Sequence, residues 1–87
     1  MTIYVDKVKT YNTPLRYKEW CHMMTDQDDL TELHEMAEKL GLRKYFQDHK
    51  FHPHYDLTPN KARHARRLGA IPTDSVTMLE RCGRLRP

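Results

Sequence analysis

Residues 20–24, WCHMM, restrict the fold more than any other stretch of this chain. Side chains of a strand alternate between its faces, and here Trp20, His22 and Met24 alternate with Cys21 and Met23. Both sets are mostly apolar, which suits a central strand covered on both sides. The run closes on Thr25 and Asp26. His22 shares a face with Trp20 and Met24, and alone it reads as a buried histidine holding one hydrogen bond.

The next residues specify what does the covering. In residues 28–40, Leu30, Leu33, Ala37 and Leu40 fall on one stripe of a helix. Asp28 and Asp29 crowd its first turn, Lys39 sits in its last, and Gly41 supplies a stop. Glu35 and Lys39 add an i,i+4 pair. His34 lies four after Leu30 and three before Ala37, so it is expected to point inward, where it needs a polar partner.

The remaining elements are shorter. Residues 2–5, TIYV, make a first strand closing on Asp6. Residues 7–18 read as a loop broken at Asn12-Thr13-Pro14, with Lys7, Lys9, Arg16 and Lys18 interleaved with Tyr11 and Tyr17. Such a mixture can hold phosphates and stack bases, but more often it is a solvated loop. Residues 42–51 are irregular, with Tyr45 and Phe46 as anchors. A third strand is expected at 53–57, followed by a helix from Pro59 to Leu68 with Thr58 as its cap and Gly69 as its stop. Ala62, Ala65 and Leu68 form its thin apolar seam, and Lys61, Arg63, Arg66 and Arg67 give it a positive surface. Ala70-Ile71-Pro72 suits an edge strand. A last helix, capped by Thr73 or Asp74, carries Val76, Leu79 and Cys82 inward and stops at Gly83; residues 84–87 form a frayed basic tail.

The expected fold class is therefore α/β: a small single-layer sheet of three to four short strands with about three helices packed on it, in one domain of residues 1–87. If the strands at 53–57 and 70–72 flank the second helix, they form a right-handed βαβ unit. A content of 38% hydrophobic and 31% charged residues is a globular balance, not that of a disordered chain. The net charge of +3 admits an anionic partner without requiring one. No apolar run is long enough to span a bilayer, there is no secretory apolar segment, and Cys21 and Cys82 lack metal or redox spacing. A cytoplasmic protein with reduced thiols and no membrane partner is expected.

Polar chemistry concentrates in residues 46–60, FQDHKFHPHYDLTPN, with His49, His52, His54, Asp48 and Asp56 placed between a strand and a helix. Taken with WCHMMTD, DDLTELHEMAEKLGL, HPHYDLTP and the LGA after the basic helix, this order and spacing resembles domain of unknown function 4031, a group of small phage and bacterial proteins. The resemblance covers nearly the whole chain. The family's W-x-H-x-x-x-D falls on Trp20, His22 and Asp26, its L-H on Leu33 and His34, and its H-Y-D on His54, Tyr55 and Asp56. The resemblance implies that these are family features and that His49 and His52 are local. It implies no particular activity.

Chemistry must then be argued from the residues. Asp6, Asp26 and Asp56 each close a predicted strand, and parallel strands would bring all three to one edge, where open α/β sheets bind ligands. His22 and Asp26, and likewise His54 and Asp56, share faces of their strands. The expected cluster is His22, His34, His54 and Asp56, with Asp26 as a further member.

The first reading is a phosphodiester- or nucleotide-directed hydrolase whose catalytic residues are His22, His34, His54 and Asp56. In a metal-assisted form His22, His54 and Asp56 hold a divalent ion; in a metal-free form His22 and His54 act as acid and base. Lys61, Arg63, Arg66 and Arg67 would hold phosphate near the helix start. The alternative is a non-catalytic nucleic-acid- or protein-binding module of phage type, with the same histidines and aspartates as a structural hydrogen-bond network. A structural zinc on Cys21, His22 and Cys82 is discounted, because Cys21 and His22 point to opposite faces. The number of polar groups directed to one edge favours a site over a network.

Overall fold

Alternation in the central run is realised over seven residues, Glu19–Thr25, with Cys21, Met23, Met24 and Thr25 all buried. The computed structural model describes residues 3–12, 14, 18–27, 29–42, 46–47 and 53–83. Expectations resting on Arg16, Tyr17, Asp28, Tyr45, Asp48, His49, His52 and the tail at 84–87 lie outside the described residues. The elements are β1 (Ile3–Val5), β2 (Lys9–Thr10), β3 (Glu19–Thr25), α1 (Thr31–Lys39), β4 (Phe46–Gln47), β5 (His54–Leu57), α2 (Pro59–Arg67), β6 (Ile71–Pro72) and α3 (Ser75–Cys82).

The class is α/β, with a mixed sheet somewhat larger than three to four strands. Its order is β4-β5-β3-β1-β6, and β2 also pairs with β3. The additions are the two-residue strands β2 and β4, placed where the sequence reads as a loop and as irregular chain. Between β1 and β2 the pairing with β3 slips by one residue, as at a β-bulge, so the two form one interrupted edge along β3.

Strand direction departs from the all-parallel arrangement. β3 is antiparallel to both β1 and β5, whereas β6 is parallel to β1. Asp6 and Asp56 therefore lie towards one end of the sheet, and Asp26, after β3, lies at the other. The helix α2 does connect two strands of the same direction, β5 and β6, but β3 and β1 stand between them. The strands expected to flank the second helix thus do so, as two parallel strands of one sheet with two others between them.

The two faces differ in character. On the first, Ile3, Val5, Cys21, Met23, Tyr55 and Leu57 meet Leu33, Ala37 and Leu40 of the α1 region and Ala62 and Ala65 of α2. Burial of each large side chain here contributes about 1.5–3 kcal/mol, so this face holds most of the fold. On the second face, among the described residues, Tyr4 and Met24 form a smaller core cluster with Met78 and Cys82 of α3. That helix is rotated from the expected stripe: Val76 is 68% and Leu79 46% exposed, and Met78 takes the inward place. Leu68, expected in the α2 seam, is likewise exposed.

Helix ends follow their local chemistry. Asp74 caps α3 by accepting from the Thr77 amide, at 2.7 Å, and the Thr77 hydroxyl. Pro59 opens α2 after Thr58, as its fixed φ allows. After α1, Gly41 adopts a φ of +75°, a left-handed turn that a side chain would strain.

Candidate functional site

The helix α3 covers only part of the second face, and the uncovered part carries a polar row. Register places Val5 opposite Met23 and His22 opposite Asp56, so Asp6, just past the end of β1, lies beside His22 of β3, which lies beside Asp56 of β5. His54 joins them because it precedes Asp56 by two residues on β5. The His22 and His54 rings meet edge to face, with centroids 4.9 Å apart.

His22 is held from one side. Its backbone N–H donates to Asp6 Oδ1 at 2.6 Å, and its ring Nδ1 lies 3.0 Å from Asp6 Oδ2. The Asp6 side chain has no solvent exposure. Its Oδ2 also accepts from the Ser75 hydroxyl at 2.9 Å, and Lys9 Nζ donates to that hydroxyl oxygen at 2.8 Å. Burial pushes the Asp6 carboxyl up, but the hydrogen bonds from the His22 ring, the His22 backbone and Ser75, with the charge of His22, outweigh it. The net effect holds it below the ordinary carboxylate value.

The other ring nitrogen faces the rest of the row. His22 Nε2 lies 3.9 Å from Asp56 Oδ1, and His54 Nε2 lies 3.4 Å from the same oxygen. One donor atom from each of His22, His54 and Asp56 falls within 4.8 Å of the others, and all three residues are half-buried. A tetrahedral ion with bonds of about 2.0–2.2 Å separates its ligand atoms by roughly 3.4 Å; the His54 contact to Asp56 has that length and the His22 contact, at 3.9 Å, is wider.

One opening reaches this row at Asp56, and another lies near its Asp6 end, where the Asp6 side chain itself is closed to solvent. A cleft of about 410 Å³ runs from Trp20 and Asp56 to Asn60 and Lys61 at the start of α2. A second, of about 390 Å³, lies past the ends of β1 and β6 between Asp6, Lys7, Arg66 and Asp74. Tyr11 feels the same charges: burial raises its phenol, and Asp6 and Asp56 raise it further.

Of the expected cluster, His22, His54 and Asp56 come together, whereas His34 and Asp26 do not. His34 lies on the other side of the sheet, where its Nδ1 is 2.7 Å from Tyr55 Oη and its ring packs edge-on against Phe46. It is also exposed, so its expected inward course is corrected: the α1 stripe turns towards Leu33 and Ala37 and leaves His34 at the rim. Asp26 bonds its neighbour Gln27 at the far end of β3.

The basic residues of α2 are dispersed. Lys61 donates to the Leu40 carbonyl and Arg63 to the Asn60 side chain; Arg66 lines the second cleft, and Arg67 is exposed. Cys21 and Cys82 are buried on opposite faces as free thiols, consistent with discounting a shared zinc. Sequence reading left Asp6 outside the cluster, gave no role to Ser75, and placed Lys9 only in a loop whose basic and aromatic mixture can hold phosphates. The only signal was that Asp6 closes a strand; its partner depends on long-range register.

No helix among the described residues is long and apolar enough to cross a membrane. Residues 3–85 match the family model described as protein of unknown function (DUF4031). The chain belongs to that family. No curated protein and no solved structure matches it.

Proposed function

We propose that this family member is a metal-assisted hydrolase of a phosphate ester, with His22 Nε2, His54 Nε2 and Asp56 Oδ1 as the protein ligands of one divalent ion. The convergence of one donor atom from each of these three residues within 4.8 Å carries the reading, with both Nε2 atoms turned to Asp56 Oδ1. The contacts to Asp56 Oδ1, at 3.4 and 3.9 Å, leave room for an ion between the groups. Three protein ligands leave a further coordination position, the arrangement of catalytic rather than structural sites. An ion held by these three residues would supply a water of lowered pKa at the open position.

The anionic substrate class rests on the surrounding charge. Lys9 is tied beside the row through Ser75, and Lys61 lines the cleft that Asp56 enters. Both offer ammonium groups to phosphate oxygens, as does the open first turn of α2. A nucleotide or nucleic-acid phosphodiester fits this chemistry, and binding would weaken as salt rises.

The test is elemental analysis of purified, untagged protein, followed by chelation and titration with zinc and manganese. One ion per chain is expected, with His54→Ala and Asp56→Ala losing more affinity than the roughly 10–100-fold typical of an outer-shell change. Metal-restored protein should cleave an aryl phosphodiester, and chelated protein should not. Wild-type protein that takes up neither ion would sink the proposal.

A further inference from the structure

The geometry points to Asp6 as the positioning residue of this site: its carboxylate fixes His22 with the proton on Nδ1, leaving the Nε2 lone pair directed at Asp56 and His54. The consequence for metal binding rests on the proposed function; the tautomer itself does not.

Each oxygen of Asp6 has an assigned task. Oδ1 accepts from the His22 backbone amide, which fixes the carboxylate relative to β3. Oδ2 accepts from the His22 ring and from Ser75. A carboxylate has no proton to offer the ring, so Nδ1 must donate and Nε2 is left as the acceptor. Without such a partner a neutral imidazole favours the opposite tautomer, whose Nε2–H would face the Asp56 and His54 donors and block an ion. Complete burial of the Asp6 side chain removes competing water. Ser75 opens α3, so the docking of that helix also fixes where Oδ2 points.

The informative variant is Asp6→Asn. It matches the native side chain in size and keeps one oxygen for the His22 amide. The amide NH2 then replaces Oδ2, and a donor facing Nδ1 drives the ring proton to Nε2. Ser75→Ala serves as the control, because it removes one donor but leaves both His22 contacts in place. A merely structural loosening where α3 meets Asp6 would affect both variants alike.

The measurement is a two-bond 15N–1H correlation spectrum of the histidine rings in metal-free protein near pH 8. Wild type and Ser75→Ala should show His22 protonated at Nδ1, and Asp6→Asn should shift it to the Nε2–H form. Zinc titration of the same samples should show a loss of about 10–100-fold for Asp6→Asn, the usual cost of an altered outer-shell partner, and a smaller one for Ser75→Ala. A wild-type His22 protonated at Nε2, or one indifferent to Asp6→Asn, overturns the positioning role. Unchanged zinc affinity despite the altered tautomer overturns its consequence for the ion. Wild type that binds no zinc yet shows the tautomer exchange would defeat the proposed function while upholding the role of Asp6.

Discussion

Cys21 and His22 are adjacent, yet the pleat of β3 gives them opposite chemistry. His22 faces the open polar row, and Cys21 faces the main core at 1% exposure. Burial pushes the Cys21 thiol up to about 12, with the nearby Asp6 carboxylate adding to the effect, and burial does the same to Cys82. At pH 8 this leaves on the order of a thousandth of the thiolate of an ordinary cysteine. Native protein should therefore react with a thiol-disulfide reagent far more slowly than the unfolded chain, and release two equivalents only in denaturant. Rapid labelling of either thiol at native pH would show that the strand or α3 opens readily. The same alternation made part of the site legible: His22 with Trp20 and Met24, and His54 with Asp56, follow from period two. What placed Asp6 beside His22 was the pairing of β1 with β3, sixteen residues apart in the chain, and no local pattern encodes that register.

Among the elements, α3 depends most on its ends. Its packed face amounts to Met78 and Cys82 against Tyr4 and Met24, so the Asp74 cap matters for its order. Bonds from the Thr77 amide and hydroxyl hold the Asp74 carboxyl below its ordinary 3.8. A carboxyl whose folded pKa is depressed stabilises fully above its unfolded value and loses that contribution as pH falls through the folded one. The cap should thus be intact at pH 5, begin to lose its contribution under the ordinary value of 3.8, and be lost once pH falls through the depressed folded value. The Thr77 amide resonance should move and its protection factor, corrected for the intrinsic exchange rate, should fall over that range, and Asp74→Asn should flatten the response. A Thr77 amide indifferent to acid would contradict the cap. The α/β class and the three helices were readable from periodicity and capping residues. Strand direction was not, because a short alternating run looks the same in parallel and antiparallel pairs, and two-residue strands carry no period. The rotation of α3 escaped for a related reason: Val76, Leu79 and Met78 offer two apolar stripes, and only the sheet decides which one is covered.

For the whole molecule, the division between faces links stability to the site. One face is closed by α1 and α2, while the second gives up apolar contact along Asp6, His22, His54 and Asp56. A domain of this size has a total stability of about 5–15 kcal/mol, so a modest contribution at the polar row is visible. An ion held only by the native arrangement adds about 2.7 kcal/mol at one hundred times its Kd. At roughly 4–8 °C per kcal/mol, Tm should rise on the order of 10–20 °C. Asp56→Asn, whose side chain is 30% exposed, should leave the metal-free Tm near wild type and abolish most of the increment. Three strands share the row, so the gain should appear as slower amide exchange in β1, β3 and β5 together. The opposite pattern, an equal rise in wild type and Asp56→Asn, would place the ion elsewhere. The polar row would then be a hydrogen-bonded seam between strands, with its histidines serving the fold.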